Sequence, residues 1–332
     1  MIPVLVIYFQ NGRMSVKWHG CTSVPRTLNG GGPQGATIGL LEYLSQSNHS
    51  ADCVEEQDRY KFVDDLTILE IVNLLTVGIT SFNLKAQIPN DIPDHNQFIP
   101  PNNLKSQDHL DNINQWTINQ KMKINQNKSK TIIFNFTKNY QFTTRLDLNG
   151  ESLEVVKETK LLGTIIQNDL KWDSNTSKLV KSANARMRLL HKLSEFGAPR
   201  SDLVAIYTSY IRSILEQSAI VWHSSLTEEN QEDLERVQKS AFKVILKQKY
   251  KSYNEACLIL NLEPLHKRRQ ELCTSFAIKS VKNSSIQFNL NDKTHTMQTR
   301  NPDKFKVTYC NTERLLHSAI PQMELLLNKT LT

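Results

Sequence analysis

Between residues 178 and 193, Leu179, Ala183, Met187, Leu190 and Leu193 recur every three or four positions, while Lys178, Lys181, Arg188 and Lys192 occupy the opposite side. A period near 3.6 predicts an amphipathic helix with one face buried and a basic stripe on the other. No acidic residue interrupts that stretch. Two further helices follow by the same rule. One opens at Ser201-Asp202 as its cap, with Leu203, Tyr207, Tyr210 and Ile214 as its seam. The next is opened by Thr227 with Glu228 and Glu229 and is amphipathic through Leu234, Val237, Ala241 and Ile245. His266–Arg269 is a short basic cluster. The segment 284–332 is polar and weakly patterned, with a last helix expected over Leu315–Leu327.

The first half of the chain reads differently. Pro3–Asn11 reads as the end of a helix, with Val4, Leu5, Tyr8 and Phe9 on its apolar face. Met14–Gly20 alternates Val16 and Trp18 with Lys17 and His19, which suits a strand. Two apolar runs, Tyr60–Val63 and Leu66–Leu69, flank Asp64-Asp65. Their aromatic and branched residues predict two strands, and the acidic pair predicts the turn between them. Residues 87–107 hold Pro89, Pro93, Pro100 and Pro101 among Asn and Asp, a long loop. A helix is predicted over 104–120 with Leu110, Ile113, Trp116 and Thr117 on one face, then a strand over Thr131–Phe136. Asn149-Gly150, between Leu146–Asn149 and Leu153–Val156, is the strongest short hairpin signal. Thr159–Ile166 reads as the next strand.

The switch from strands to helices predicts an α+β chain of about two domains, a size that 332 residues accommodate. Hydrophobic residues at 39% allow a substantial core and argue against wholesale disorder. A net charge of +7 and a pI near 9.0 are consistent with a nucleic-acid partner. The cysteines, Cys21, Cys53, Cys257, Cys273 and Cys310, are odd in number and widely spaced. They form no zinc pattern and suggest reduced thiols in an intracellular compartment, nuclear or cytoplasmic. Met1–Phe9 is apolar but too short for a membrane span, and no basic leader precedes it.

Candidate chemistry concentrates at two places. Asp64 and Asp65 offer hard oxygen ligands suited to Mg²⁺, at the tip of the predicted hairpin. A bare Asp-Asp turn is more often only solvated. Upstream, Leu28–Gly39 reads L-N-G-G-G-P-Q-G-A-T-I-G. Its glycines allow a ligand to approach the backbone closely, and a helix from about Thr37 presents its amino end to the same spot. Either signal alone is weak; the glycine loop followed by an aromatic-x-Asp-Asp hairpin is more specific.

The order of these segments resembles the carboxyl-terminal part of a reverse transcriptase of the non-LTR (LINE-type) retrotransposon class. G-G-P-Q-G at Gly31–Gly35 resembles motif B, and F-V-D-D at Phe62–Asp65 resembles motif C. Trp116–Lys130 resembles motif D, with Lys128 and Lys130 as candidates for its lysine. Leu161–Trp172, L-L-G-T-I-I-Q-N-D-L-K-W, resembles motif E, the primer grip, and Tyr210–Trp222 resembles the helical region that follows. The resemblance runs to roughly Arg269.

It implies a partial polymerase palm over 1–166, an antiparallel sheet with helices, then an all-α thumb-like region over 173–282 and a polar tail over 283–332. It further implies RNA-directed DNA polymerase chemistry, nucleotidyl transfer on two Mg²⁺ or Mn²⁺ ions. Asp64 and Asp65 would hold the metal, and Lys128 would protonate the leaving pyrophosphate. Gly32, Pro33, Gln34, Gly35 and Phe62 would position nucleotide, template and primer. Lys178, Lys181, Arg188 and Lys192 would follow a phosphate backbone. The implied partners are an RNA template with a DNA primer, their hybrid, and deoxynucleotide triphosphates; no membrane partner is expected. No Asp precedes Asp52, so the chain is expected to start after motif A and to lack the first catalytic Asp. That expectation makes this stretch inactive by itself, with Asp58 or Glu70 as the nearest substitutes. A second reading is a relic that keeps only nucleic-acid binding.

Overall fold

In the computed structural model the described residues are 13–14, 17–18, 21–22, 24, 26–27, 59–62, 65–68, 70, 97–98, 105–120, 122–135, 141–142, 144–282, 305, 307–310 and 312–331. They form an α+β chain that is mostly helical, with small sheets. Two compact units divide it: residues 1–131 with 137–155, and residues 132–136 with 156–332. The helix end predicted over 3–11 and the helix predicted from about Thr37 lie outside the described residues.

The first unit is built from short strand pairs and one long helix. Strands β1 (Arg13–Met14) and β4 (Arg26–Thr27) pair antiparallel, as do β2 (Lys17–Trp18) and β3 (Cys21–Thr22). The single strand expected over 14–20 is therefore two separate pieces. Strands β5 (Arg59–Phe62) and β6 (Asp65–Ile68) form a hairpin where the apolar runs predict one, but Asp65, expected in the turn with Asp64, is instead the first residue of β6, opposite Phe62. Strand β7 (Gln97–Phe98), inside the expected loop, runs parallel to β9 (Gln141–Phe142).

Helix α1 (Lys105–Asn119) buries Ile113 and Thr117. Its amino end is held from outside. Glu70 accepts from the amides of Lys105 (3.2 Å) and Ser106 (2.9 Å), two of the orphan donors of a first turn. Gln107, in the same turn of the helix, ties it to β10 (Asp147–Leu148). The Gln107 amide donates to the Asp147 carbonyl and accepts from the Asp147 amide, both at 2.9 Å. Strand β10 turns at Asn149-Gly150 into β11 (Glu151–Ser152). Both turn residues have positive φ, 53° and 81°, as a two-residue hairpin of the I′ type requires. Asn114 donates to the Asn149 side chain at 2.7 Å, and Leu148 and Leu153 are buried. Strand β8 (Lys130–Ile132) is shorter than expected, and β12 (Glu154–Val156) follows the hairpin.

The second unit carries the large core. Its first element is a tight hairpin, β13 (Glu158–Leu161) with β14 (Thr164–Gln167), where a continuous strand was expected. Leu162 at φ 46° and Gly163 at φ 90° break that strand. Contacts group this hairpin, counted with the palm to residue 166 in the sequence reading, with the helices that follow. Helix α2 (Asp173–Glu195) buries Leu179, Ala183, Met187 and Leu190 as its period predicts.

Helix α3 (Arg200–Ile206) starts after Pro199, not at Ser201-Asp202. Proline lacks the N–H that a helix start would leave unpaired, so it suits the boundary. A π-helical turn, Tyr207–Arg212, then leads into α4 (Ser213–Leu215). The wider turn shifts the register, so Ile211 is buried and Tyr210, expected in the seam, is exposed. Helices α5 (Ala219–Trp222), α6 (Glu228–Leu246), α7 (Tyr253–Leu260) and α8 (Leu265–Lys282) complete the bundle. Thr227 caps α6 by accepting from the Asn230 amide, and Leu234, Val237, Ala241 and Ile245 are buried.

The segment expected to be a polar tail is more structured than its pattern suggests. Helices α9 (Glu313–Leu316) and α10 (Ala319–Leu331) lie there, and Met323 and Leu327 bury against Ala277 and Phe305. Asn328 holds Phe305 on both sides, accepting from its amide at 3.0 Å and donating to its carbonyl at 2.9 Å. Among the described residues no helix is long and apolar enough to cross a membrane.

Candidate functional site

The β13–β14 hairpin is bolted to the first turns of α2 by three side chains. Gln167 accepts from the Ser174 amide at 3.1 Å, satisfying a first-turn donor. Asn175, buried, accepts from the Ile165 amide at 3.1 Å. Lys178, three residues on and so on the same helix face, donates its Nζ to the Gly163 carbonyl. Trp172, the last residue of the L-G…W segment, immediately precedes α2 and is buried in the main core. Hairpin and helix are thereby joined at the point where the basic stripe begins.

The four cations of that stripe are not equivalent. Lys181, Arg188 and Lys192 are exposed. Lys178 is half-buried and engaged with the hairpin, and its burial, then the nearby Lys160 charge, lower its pKa from the ordinary lysine value. Lys178 was expected to be a phosphate contact; here it is a latch. Lys160, which sequence reasoning missed, is exposed on β13 and close enough to act electrostatically on Lys178. Its alternation with half-buried Thr159 and Leu161 was the available signal. Among the described residues no carboxylate pairs with Lys160, Lys181, Arg188 or Lys192 within 4.0 Å. Arg186, on the flank, instead stacks 4.2 Å from the Tyr210 ring and donates to its carbonyl at 2.6 Å. That contact explains how an exposed Tyr210 is held.

In the first unit, Asp65 is exposed and opens β6 at the end of the hairpin. Phe62 ends β5 opposite it. Asp64 lies outside the described residues, as do Gly32, Pro33, Gln34 and Gly35 and Asp58. Among the described residues no group of three or more His, Cys, Asp or Glu could hold a metal ion. Asp65 supplies one carboxylate, and Mg²⁺ takes one or two from protein beside substrate phosphates. Glu70, the suggested substitute, has both oxygens committed to the start of α1. The two motif D lysines differ as well. Lys130 pairs with Glu154, whereas Lys128 is exposed in a 3₁₀ turn, its amide held by the Asn125 side chain at 3.3 Å.

A buried polar chain inside the second unit was invisible in the sequence. The Tyr207 hydroxyl donates to Gln238 Oε1 at 2.5 Å, and Gln238 Nε2 donates to the Tyr253 hydroxyl at 2.9 Å. Tyr253 donates in turn to Glu235. Glu235, 5% exposed, also accepts from the amides of Leu265 (2.8 Å) and His266 (3.1 Å). An open cleft of about 460 Å³ is lined by Glu228, Glu232, Glu235, Tyr253 and His266. Both Glu235 oxygens are occupied by α8 and Tyr253, which makes it a helix cap and not an acid–base group. Arg269, the last residue of the basic cluster His266–Arg269, is fully buried beside Trp222 and His223. Burial lowers its pKa to about 10, so it stays charged at neutral pH.

The chain matches no family model, no curated protein and no solved structure in comparison with each.

Proposed function

We propose that this chain is the carboxyl-terminal part of the polymerase module of a non-LTR retrotransposon reverse transcriptase, an RNA-directed DNA polymerase. The observation that carries the reading is a sequence order joined to a placement. A glycine-rich G-G-P-Q-G loop, an F-V-D-D hairpin, a lysine segment and an L-G…W segment follow one another. The last of these is a hairpin latched to a helix with three exposed, unpaired cations. In this reading α2 lies along a template–primer backbone, because phosphate contacts position a nucleic acid without reading its sequence. Asp64 and Asp65 would ligate Mg²⁺ or Mn²⁺, which would supply the clamp on the attacking and leaving oxygens. Lys128, exposed and without an ion pair among the described residues, would serve as the proton donor, and the Gly32–Gly35 loop with Phe62 would seat nucleotide and primer.

Primer extension tests the proposal. The 332-residue polypeptide by itself, on a poly(A) template with an oligo(dT) primer and Mg²⁺ or Mn²⁺, is expected to give no extension. Two-metal transfer needs carboxylates from a second strand, and no Asp precedes Asp52 here. Joined to an upstream segment that bears an Asp-containing motif A strand, it should extend the primer, and Asp64→Asn should abolish that gain. Extension of the joined protein that survives Asp64→Asn would sink the reading. A chain that binds hybrid yet never extends in the joined form would be the nucleic-acid-binding relic.

A further inference from the structure

The carboxyl end of α2 carries an aromatic residue with no structural work to do. Phe196 is 86% exposed, among the most exposed of the large apolar residues described. Its backbone is nonetheless tightly held. The Phe196 amide donates to the Lys192 carbonyl at 3.0 Å, Gly197 to Ser194 at 3.2 Å, and Ala198 to Leu193 at 3.0 Å. Gly197 at φ 78° makes this the usual left-handed helix ending, so the ring projects from a rigid base. Four residues separate Phe196 from Lys192, which puts the two on one side of the helix. Leu189, 44% exposed, lies seven residues before it on the same line.

Charge gathers at this end of α2. Among the described residues Lys192 forms no ion pair with a carboxylate, and Lys247, the residue after α6, donates its Nζ to the Ser194 carbonyl at 2.6 Å. Lys243, in the last turn of α6 over the Tyr250 ring, and Lys249, in the 3₁₀ turn that follows α6, are exposed, and Glu195 is the carboxylate beside Phe196. From Lys181 to Lys192 the cations run about 16 Å along the axis. The pattern is a line of cations ending in a projecting ring. It fits a polyanion that offers a flat apolar face at its end, and a nucleic-acid strand with an unpaired base does so. An anionic lipid surface would call for several apolar anchors on this face, and among the described residues Leu189 and Phe196 are the exposed large apolar ones on α2 and its carboxyl end.

Resting on the proposed nucleic-acid reading of α2, we infer that Phe196 is a stacking platform for an unpaired base where duplex gives way to single strand. Aromatic stacking accepts any base, so the platform would sense strand state and not sequence.

The test compares the full 332-residue chain with Phe196→Ala and Phe196→Trp. The probes are a fluorescein-labelled blunt RNA–DNA hybrid and the same hybrid with a short single-stranded extension. Wild type should prefer the extended hybrid. Phe196→Ala should lose that preference by roughly 5- to 100-fold, the effect of one stacked base, while its affinity for blunt hybrid and its salt slope stay unchanged. Phe196→Trp should keep the preference, with its own fluorescence quenched on binding. Because the side chain is exposed, thermal melts of the variants should overlay. An unchanged preference in Phe196→Ala, or an equal loss on both probes, overturns the inference and leaves the reading of α2 standing. Wild type that binds neither probe overturns both. Binding to phosphatidylserine vesicles that depends on Phe196, with none to hybrid, also overturns it, in favour of a lipid surface.

Discussion

Glu235 sits in the middle of one helix and caps another. Its carboxylate takes the first two amides of α8 and the Tyr253 hydroxyl, so three donors would be stranded by its removal. Hydrogen bonds to a charged group contribute about 1.5–3 kcal/mol each, and a buried donor left unpaired costs about 1–3 kcal/mol. Glu235→Gln keeps the shape but loses the charge, and should destabilise the chain by about 2 kcal/mol. Glu235→Ala should cost clearly more. Urea unfolding of the three proteins would show the order, and a Glu235→Ala midpoint equal to wild type would refute the cap. Nearby, His223 has its pKa lowered to about 4, first by burial, then by the Arg269 and His266 charges. Its unfolded value is about 6.5, so between those limits the unfolded chain binds the extra proton. Stability is therefore retained above pH 6.5 and lost as pH falls towards 4, by up to about 3 kcal/mol. His223→Gln should flatten that part of the stability–pH curve, and an unchanged curve would place the acid sensitivity elsewhere.

At the scale of elements, legibility followed the range of the deciding interaction. Helices α1, α2 and α6 were readable because one buried face writes a 3.6 period into the chain. The Asn149-Gly150 turn was readable because its chemistry is local. The Leu162-Gly163 turn was missed because Leu is a poor turn residue, and the L-L-G-T-I-I run looks like continuous strand. The π turn at Tyr207–Arg212 was missed because a one-residue register slip leaves the apolar period nearly intact. The burial of Arg269 was not legible because it depends on α5 and α6 neighbours far away in sequence. Among candidate site residues, Lys181, Arg188 and Lys192 were placed by period alone, whereas Lys178's role depends on the Gly163 carbonyl. The turn itself is testable. A Cβ on Gly163 would lie 2.5 Å from Gln217 Nε2, and the position holds φ at 90°. Gln217 has a flexible end that can move aside, so backbone strain should dominate the cost. Gly163→Ala should destabilise by about 1–2 kcal/mol. Adding Gln217→Ala should recover only a small part of it; full recovery would assign the effect to the collision.

For the whole chain, the deciding question is whether the basic side of α2 binds phosphate or merely faces water. Exposed cations on a helix are usually solvated, and a net charge of +7 alone does not choose. What favours a partner is that, among the described residues, Lys181, Arg188 and Lys192 lie on one helix face and none forms an ion pair with a carboxylate, as Arg236 does with Asp233 and Lys239 with Glu232. Such a partner would release counterions on binding, so log K should fall linearly with log salt. Replacing Lys181, Arg188 and Lys192 with alanine should reduce that slope by about 0.9 for each phosphate contact on a B-form duplex, with a somewhat different factor for a hybrid. Lys178→Ala should behave differently. Its amine is spent on the Gly163 carbonyl, so it should lower stability and leave the slope close to wild type. Fluorescence anisotropy on an RNA–DNA hybrid across a salt series separates the two classes. If the triple variant kept the wild-type slope, α2 would be a solvated face. If Lys178→Ala changed the slope as much as the others do, the latch would open on binding and all four cations would reach the backbone.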